Sequence, residues 1–197
     1  EALLYVICCP CKPYHSNGMS LLVSENQIRA YPGGTGSYKI GGNYAPCLLH
    51  LREAKQAGFD ENLYLFDGLI TEAGTMNVFI HWIDETGTLK TSTPPADTLI
   101  LPGITRDCII AMLKDANMPV FEEPISLKAL VKSLTDGRVR CMFGTGTAAT
   151  CVSVGQIGYH GQIYQVPTNN LAESLFERLL KIQTGKFAFN NWCHKIE

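Results

Sequence analysis

The chain predicts an α+β domain built on a mixed sheet, and three observations carry that expectation. Strand-like and helix-like segments mix without the regular strand–helix repeat of a doubly wound fold. A hairpin pattern around Asp84-Glu-Thr-Gly87 calls for antiparallel pairing. Apolar residues make up 46% and charged residues 17% of the 197 positions, so a sizeable core can form. At this length, roughly 70% of the unfolded chain's surface is buried on folding.

The elements read as follows. Leu3–Ile7 is expected to be a buried strand. Gln27–Tyr31 is a second short strand, stopped by Pro32 and two glycines. A glycine-dense stretch runs to Tyr44, and a helix follows over about 46–57, with Pro46 in its first turn and Gly58 just past its end. Leu63–Phe66 is a strand leading into an Asp67-Gly68 turn. Asn77–Ile83 and Thr88–Ser92 form the hairpin. Pro102-Gly103 opens a helix over about 104–115, and Ser126 caps a shorter one to Leu134. Val139–Phe143 is a strand that runs into Gly-Thr-Gly-Thr-Ala-Ala149. Val152–Val154 and 162–166 are short strands. Asn170, with Glu173 three residues on and Gly185 at the end, marks the last helix.

Composition excludes several classes. A chain this apolar is not disordered. A net charge of −2 provides no cationic excess for nucleic acid. No apolar run approaches the ~20 residues that span a bilayer, and the start has no basic segment of a signal peptide. The eight cysteines form no spaced framework, so they are read as reduced and mostly buried, in an intracellular protein. Cys8, Cys9 and Cys11 with His15 lack the second ligand pair of a zinc site, and no βα crossover of a redox motif follows them. His50, His81 and His160 are read as structural or surface residues.

Three features could carry chemistry. Lys39 has no carboxylate within ten residues on either side and sits among Gly36, Ser37, Tyr38, Gly41, Gly42 and Tyr44. Most lysines are solvated, which favours a surface residue. A lysine held in a dry slot can instead lose its proton and attack a carbonyl. The neighbouring glycines fit neither the Walker nor the dinucleotide pattern. Gly103, Ile104 and Thr105 open a helix, where free amides and the dipole attract an anion, and Gly144–Ala148 offers a second set of amides. Glu72, in an otherwise apolar stretch, is either a turn residue or a buried acid with a cationic partner.

Together these residues resemble a known family. Tyr38-Lys39-Ile-Gly-Gly-Asn-Tyr44-Ala-Pro46 is similar to the lysine segment of branched-chain aminotransferases. Thr71-Glu72-Ala-Gly-Thr-Met-Asn-Val-Phe79 is similar to their glutamate segment. Leu101–Arg106 and Phe143–Ala148 resemble the two phosphate-facing loops, in the right order, and Pro94-Pro95 fits the longer eukaryotic-type members.

The resemblance implies the α+β large, cofactor-binding domain of fold-type IV (D-amino-acid aminotransferase-like) aminotransferases, a mixed, barrel-like sheet with flanking helices. It implies pyridoxal 5'-phosphate as cofactor, joined to Lys39 as a Schiff base, with Lys39 then moving protons. Glu72 would face the ring nitrogen, Tyr44 the phenolate oxygen, and Thr75 the ring. Ile104 and Thr105 amides and Thr147 would hold the phosphate, and the Thr147 and Ala148 amides the substrate carboxylate. The implied reaction moves the amino group of leucine, isoleucine or valine to 2-oxoglutarate, in a homodimer when full length, with no nucleic-acid or membrane partner. The cytoplasm is expected over the mitochondrion. Residues 1–197 would form the large domain, with 1–32 as the approach from the interdomain region. The family's N-terminal small domain, with its phosphate-binding arginine and substrate grip, is missing here, so this piece alone is expected to be inactive. The C-x-x-C of mammalian members is replaced by Ala149-Thr-Cys151-Val152, so no redox switch is expected there. A D-amino-acid aminotransferase, an aminodeoxychorismate lyase or a folded non-catalytic piece are the rival readings.

Overall fold

The structure is a computed structural model that describes residues 2–8, 10, 18–147 and 150–195. It contains β1 (Met19–Ser24), α1 (Cys47–Gln56), β2 (Glu61–Phe66), β3 (Leu69–Ala73), β4 (Asn77–Ile83) and β5 (Leu89–Thr93). Then follow α2 (Ile104–Asp115), β6 (Val120–Glu122), α3 (Leu127–Thr135), β7 (Val139–Gly146), β8 (Thr150–Tyr159), β9 (Gln162–Gln165) and α4 (Leu171–Gln183). The nine strands form one mixed sheet in the order β3-β2-β1-β8-β7-β4-β5-β6, with β9 on β8. β1 runs parallel to both β2 and β8, while β4, β7 and β8 pair antiparallel. The sheet curls into a half-barrel with helices on its flanks, as the α+β expectation required.

Local chemistry explains the best-read elements. Asp67 and Gly68 both take positive φ (49° and 71°), the geometry a two-residue turn needs to join β2 to β3. Ser126 accepts a hydrogen bond from the Ala129 amide at 3.1 Å and so caps α3. Gly58 and Gly185 take positive φ just beyond α1 and α4.

The sheet is covered on both faces, which is why β4 is buried along nearly its whole length. Val78, Ile80 and Trp82 point to one core with Leu127 and Leu130 of α3. Phe79, Cys141 and Phe143 point to a second core under α2 and α4, with Ile109, Leu113, Leu175 and Leu179. Phe79 and Phe143 lie opposite each other in register and stack at 5.1 Å between ring centroids. Phe79→Ala is therefore expected to cost about 3–5 kcal/mol of stability, read as a lower urea midpoint.

Several expectations need correction. Leu3–Ile7 is not a strand: the run is exposed, with Leu4 at 92%. A strand needs a partner for its backbone groups as well as apolar side chains, and this run pairs with no strand among the described residues. Residues 27–31 form no strand either, while β1, β3 and β6 are strands the pattern did not reveal. β8 is one strand of ten residues rather than three. Asn170 occupies the N-cap of α4, but its side chain makes no cap bond; Asn169 Oδ1 accepts from the Leu171 amide at 3.0 Å instead. Among the six described cysteines only Cys141 is fully buried; Cys8 and Cys193 are exposed, and Cys9 and Cys11 lie outside the described residues. Burial pushes the Cys141 thiol up to about 11 and Cys151 to about 12, which keeps both inert. No helix among the described residues is long and apolar enough to cross a membrane.

Candidate active site

Four stretches of chain converge on one cavity. The first is the loop between β1 and α1. Asn43 is buried, and its amide donates to the carbonyls of Thr35 and Tyr38, each at 2.7 Å. The Thr35 hydroxyl donates back to Asn43 Oδ1 at 2.8 Å. These bonds fold the loop on itself and bring Lys39 to the cavity. Gly36 anchors the loop from below: a Cβ there would lie 2.4 Å from the Thr98 carbonyl oxygen, so only glycine fits. Lys39 Nζ donates to the Tyr44 hydroxyl at 3.0 Å and sits 5.0 Å from the centre of its ring. Its slot is not dry. Lys39 is exposed, and Gly41 and Gly42 adjoin open space.

The second stretch is the end of β3. Glu72 is buried, with 2% of its surface exposed. Its Oε2 pairs with Arg29 Nε at 2.6 Å. Its Oε1 accepts from the Leu101 amide and from Asn77 Nδ2, both at 3.0 Å. Burial pushes the carboxyl up to about 7, against the pull of Arg29 first, then the Leu101 amide, Lys39 and Arg106. Beyond Glu72 a tight turn, closed by the Ala73 amide on the Met76 carbonyl at 2.9 Å, brings Thr75 to the wall.

The third stretch is the start of α2. Gly103 is its N-cap, and no side chain caps it, so the first amides of Ile104 and Thr105 are left for a ligand. Asn77 Nδ2 also donates to the Leu101 carbonyl at 2.9 Å, which sets the approach to the helix. A Cβ at Gly103 would lie 2.2 Å from Asn77 Oδ1, so the close approach again needs glycine. The fourth stretch is the end of β7, with Thr145, Gly146 and Thr147. Thr145 Oγ1 is buried and has no partner, although it stands at the cavity wall. A buried hydroxyl without a partner and a set of uncapped amides thus line the same cavity, groups whose bonding an anion could complete.

Lys39, Tyr44, Glu72, Thr75, Ile104, Thr105 and Thr147 all line this one cavity. Ala148 lies outside the described residues. Arg106 points away, to Glu122 and the Pro94 carbonyl, each at 2.8 Å. Sequence reasoning missed Arg29, Asn77 and Thr145. For Arg29 a signal did exist, because a carboxylate in an apolar stretch calls for a cation. Three histidines are structural or at the surface: His81 meets the Thr91 hydroxyl at 2.9 Å, His50 the Tyr64 hydroxyl at 3.3 Å, and His160 the Glu25 carboxylate; His15 lies outside the described residues.

The amino-transferase class IV family model matches residues 4–157. The chain belongs to that family. A cytosolic branched-chain-amino-acid aminotransferase of Mus musculus is 41% identical over 197 residues, covering 94% of this chain and 51% of its own. A mitochondrial one of Schizosaccharomyces pombe is 39% identical over 98% of this chain and 48% of its own. A solved branched-chain amino acid aminotransferase of Escherichia coli superposes with a TM-score of 0.75 at 26% identity, over 93% of this chain and 58% of that one. The T.th. enzyme of the same name, complexed with N-(5'-phosphopyridoxyl)-L-glutamate, gives 0.71 at 27% identity, over 86% and 53%. The chain spans about half the length of the curated relatives it matches. Cytosolic and mitochondrial members both match.

Proposed function

We propose that the whole protein is a branched-chain-amino-acid transaminase that uses pyridoxal 5'-phosphate, and that residues 1–197 are its cofactor-holding domain. The observation that carries this reading is the meeting of an amine, a buried carboxylate and two anion-binding backbone ends in one cavity. Bound there, the cofactor supplies an electron sink that stabilises charge beside its ring. This chain's residues would do the rest. Lys39 Nζ would hold the cofactor covalently and then take and return a proton. Tyr44, already accepting from Lys39 Nζ at 3.0 Å, would orient that amine and the ring oxygen. Glu72 would face the ring nitrogen and Thr75 the ring. The amides of Ile104 and Thr105, with the hydroxyls of Thr145 and Thr147, would hold the phosphate, and the Thr147 and Ala148 amides the substrate carboxylate.

The substrates we propose are leucine, isoleucine or valine as donor and 2-oxoglutarate as acceptor, in a homodimer. The relatives named above support that choice over D-amino acids or aminodeoxychorismate. The test is to supply the full-length protein with leucine and 2-oxoglutarate and measure glutamate, with D-alanine (also with 2-oxoglutarate) and aminodeoxychorismate (read as pyruvate release) as rivals. Glutamate formed from leucine alone is the expected result; turnover of either rival instead overturns the substrate reading. Residues 1–197 by themselves are expected to bind the cofactor reversibly and to leave leucine unchanged. Only amides and hydroxyls would meet the phosphate, each worth about 0.5–2 kcal/mol, and Lys39 is open to solvent. Full turnover by the piece would place the substrate grip within these residues.

A further inference from the structure

We propose that Arg29 is the positioning residue of this site: its guanidinium holds Glu72 facing the cavity, favours its ionised form, and ties together the two loops that carry Lys39 and the uncapped helix end. The inference rests on the reading that the cavity takes pyridoxal phosphate.

The geometry is a three-way link. Arg29 Nε meets Glu72 Oε2 at 2.6 Å, with both side chains almost fully buried. Nη1 and Nη2 donate to the Gly36 carbonyl at 3.2 and 3.3 Å, three residues before Lys39. Nη1 also donates to the Leu99 carbonyl at 3.1 Å, four residues before Gly103. A planar fork with fixed donor directions can hold three such acceptors at once; a lysine ammonium on a flexible stem cannot hold them in one plane.

The electrostatic part follows from burial. A carboxylate removed from water becomes neutral unless a cation stands against it. The charged groups facing Glu72 are Arg29 and Lys39 from the first loop and Arg106 from α2; Leu101 and Asn77 are neutral donors. Lys39 is exposed, and Arg106 is engaged by Glu122 and Pro94. Contact with Glu72 is made by Arg29. A cationic ring nitrogen gains from Glu72 only while Glu72 is ionised. Even with Arg29 in place, burial lifts Glu72 to about 7, so removing Arg29 lifts it further and leaves a neutral acid at neutral pH.

Pyridoxamine 5'-phosphate is the probe, because it lacks the aldehyde and reports the ring and phosphate contacts apart from Lys39. Its affinity for the full-length protein is measured against pH by calorimetry. For the wild type, binding should tighten as pH rises through about 7. In Arg29→Gln that rise should move up by at least about one pH unit, with at least about tenfold weaker binding at neutral pH. Arg29→Lys should restore the midpoint, since the charge returns, yet bind more weakly, since the carbonyl links do not. Should Arg29→Gln fail to fold, Arg29→Lys decides: wild-type affinity and midpoint together overturn the three-way link. In a Glu72→Gln background, Arg29→Gln should leave the pH profile unchanged, and a remaining shift overturns the route through Glu72. Wild type binding normally while Arg29→Gln keeps its midpoint sinks the role of Arg29 alone. No binding by the wild type sinks the reading of the cavity itself.

Discussion

Lys39→Ala is expected to abolish covalent retention of pyridoxal phosphate and to cut turnover by about 10²–10⁴-fold or more. Lys39 is the lysine at the cavity wall, 3.0 Å from the Tyr44 hydroxyl. The other groups there are a carboxylate, an engaged guanidinium, the Asn77 amide, hydroxyls, apolar side chains and backbone, none of which replaces a primary amine. The fold should survive, because the side chain is exposed and its one hydrogen bond is to a half-buried tyrosine. Surface substitutions of that kind change stability by less than about 0.5 kcal/mol. Borohydride treatment and peptide mapping of the wild type should leave the pyridoxyl label on Lys39. A label spread over other lysines, or full turnover in Lys39→Ala, would assign the covalent role elsewhere. Tyr44→Phe should keep the label and lose part of the rate, since it removes the hydroxyl and leaves the amine.

The site was more legible than the strands around it. Its residues lie on turns and helix starts, where chemistry is local. Glycine at 36 and 103, a prolyl helix entry and a lone lysine among glycines are visible without knowing the fold. The strands depend on partners far away in sequence. Residues 27–31 show why. They read as a short strand ended by Pro32 and two glycines. The structure instead exposes Ile28 at 44% and buries Arg29 at 8%. Glu72, forty-three residues on, pairs with the buried guanidinium. β3 was hidden for the same reason: Thr71 and Glu72 break the apolar pattern, yet both are buried by neighbours a sequence window cannot contain. Leu3–Ile7 failed in the opposite sense: it is apolar yet exposed and forms no strand, since apolar character alone does not supply a pairing partner.

Glu72→Gln should cost more than about a hundredfold in rate, and its effect on stability should reverse the usual expectation for an ion pair. Losing one member of a buried pair costs about 3–5 kcal/mol, which is more than about a hundredfold if it falls on the transition state. Glutamine keeps the shape and can still accept from the Leu101 amide, but it cannot balance a cationic ring. Without cofactor the balance differs. Glu72 is raised from 4.5 to about 7 in the folded chain, so the folded state holds a proton that the unfolded state has released. Its contribution to stability is therefore full below about 4.5 and lost as pH rises through about 7. Glutamine has no such dependence. The wild type should lose stability relative to Glu72→Gln as pH climbs across that window, followed by urea melts of the apoprotein. Pyridoxal phosphate should restore the wild type's lead above that window, because a second cation beside Glu72 pulls the carboxyl back down. Two parallel pH–stability curves would mean that Glu72 titrates as an ordinary carboxylate. An unchanged rate in Glu72→Gln would mean that the ring nitrogen finds its partner elsewhere.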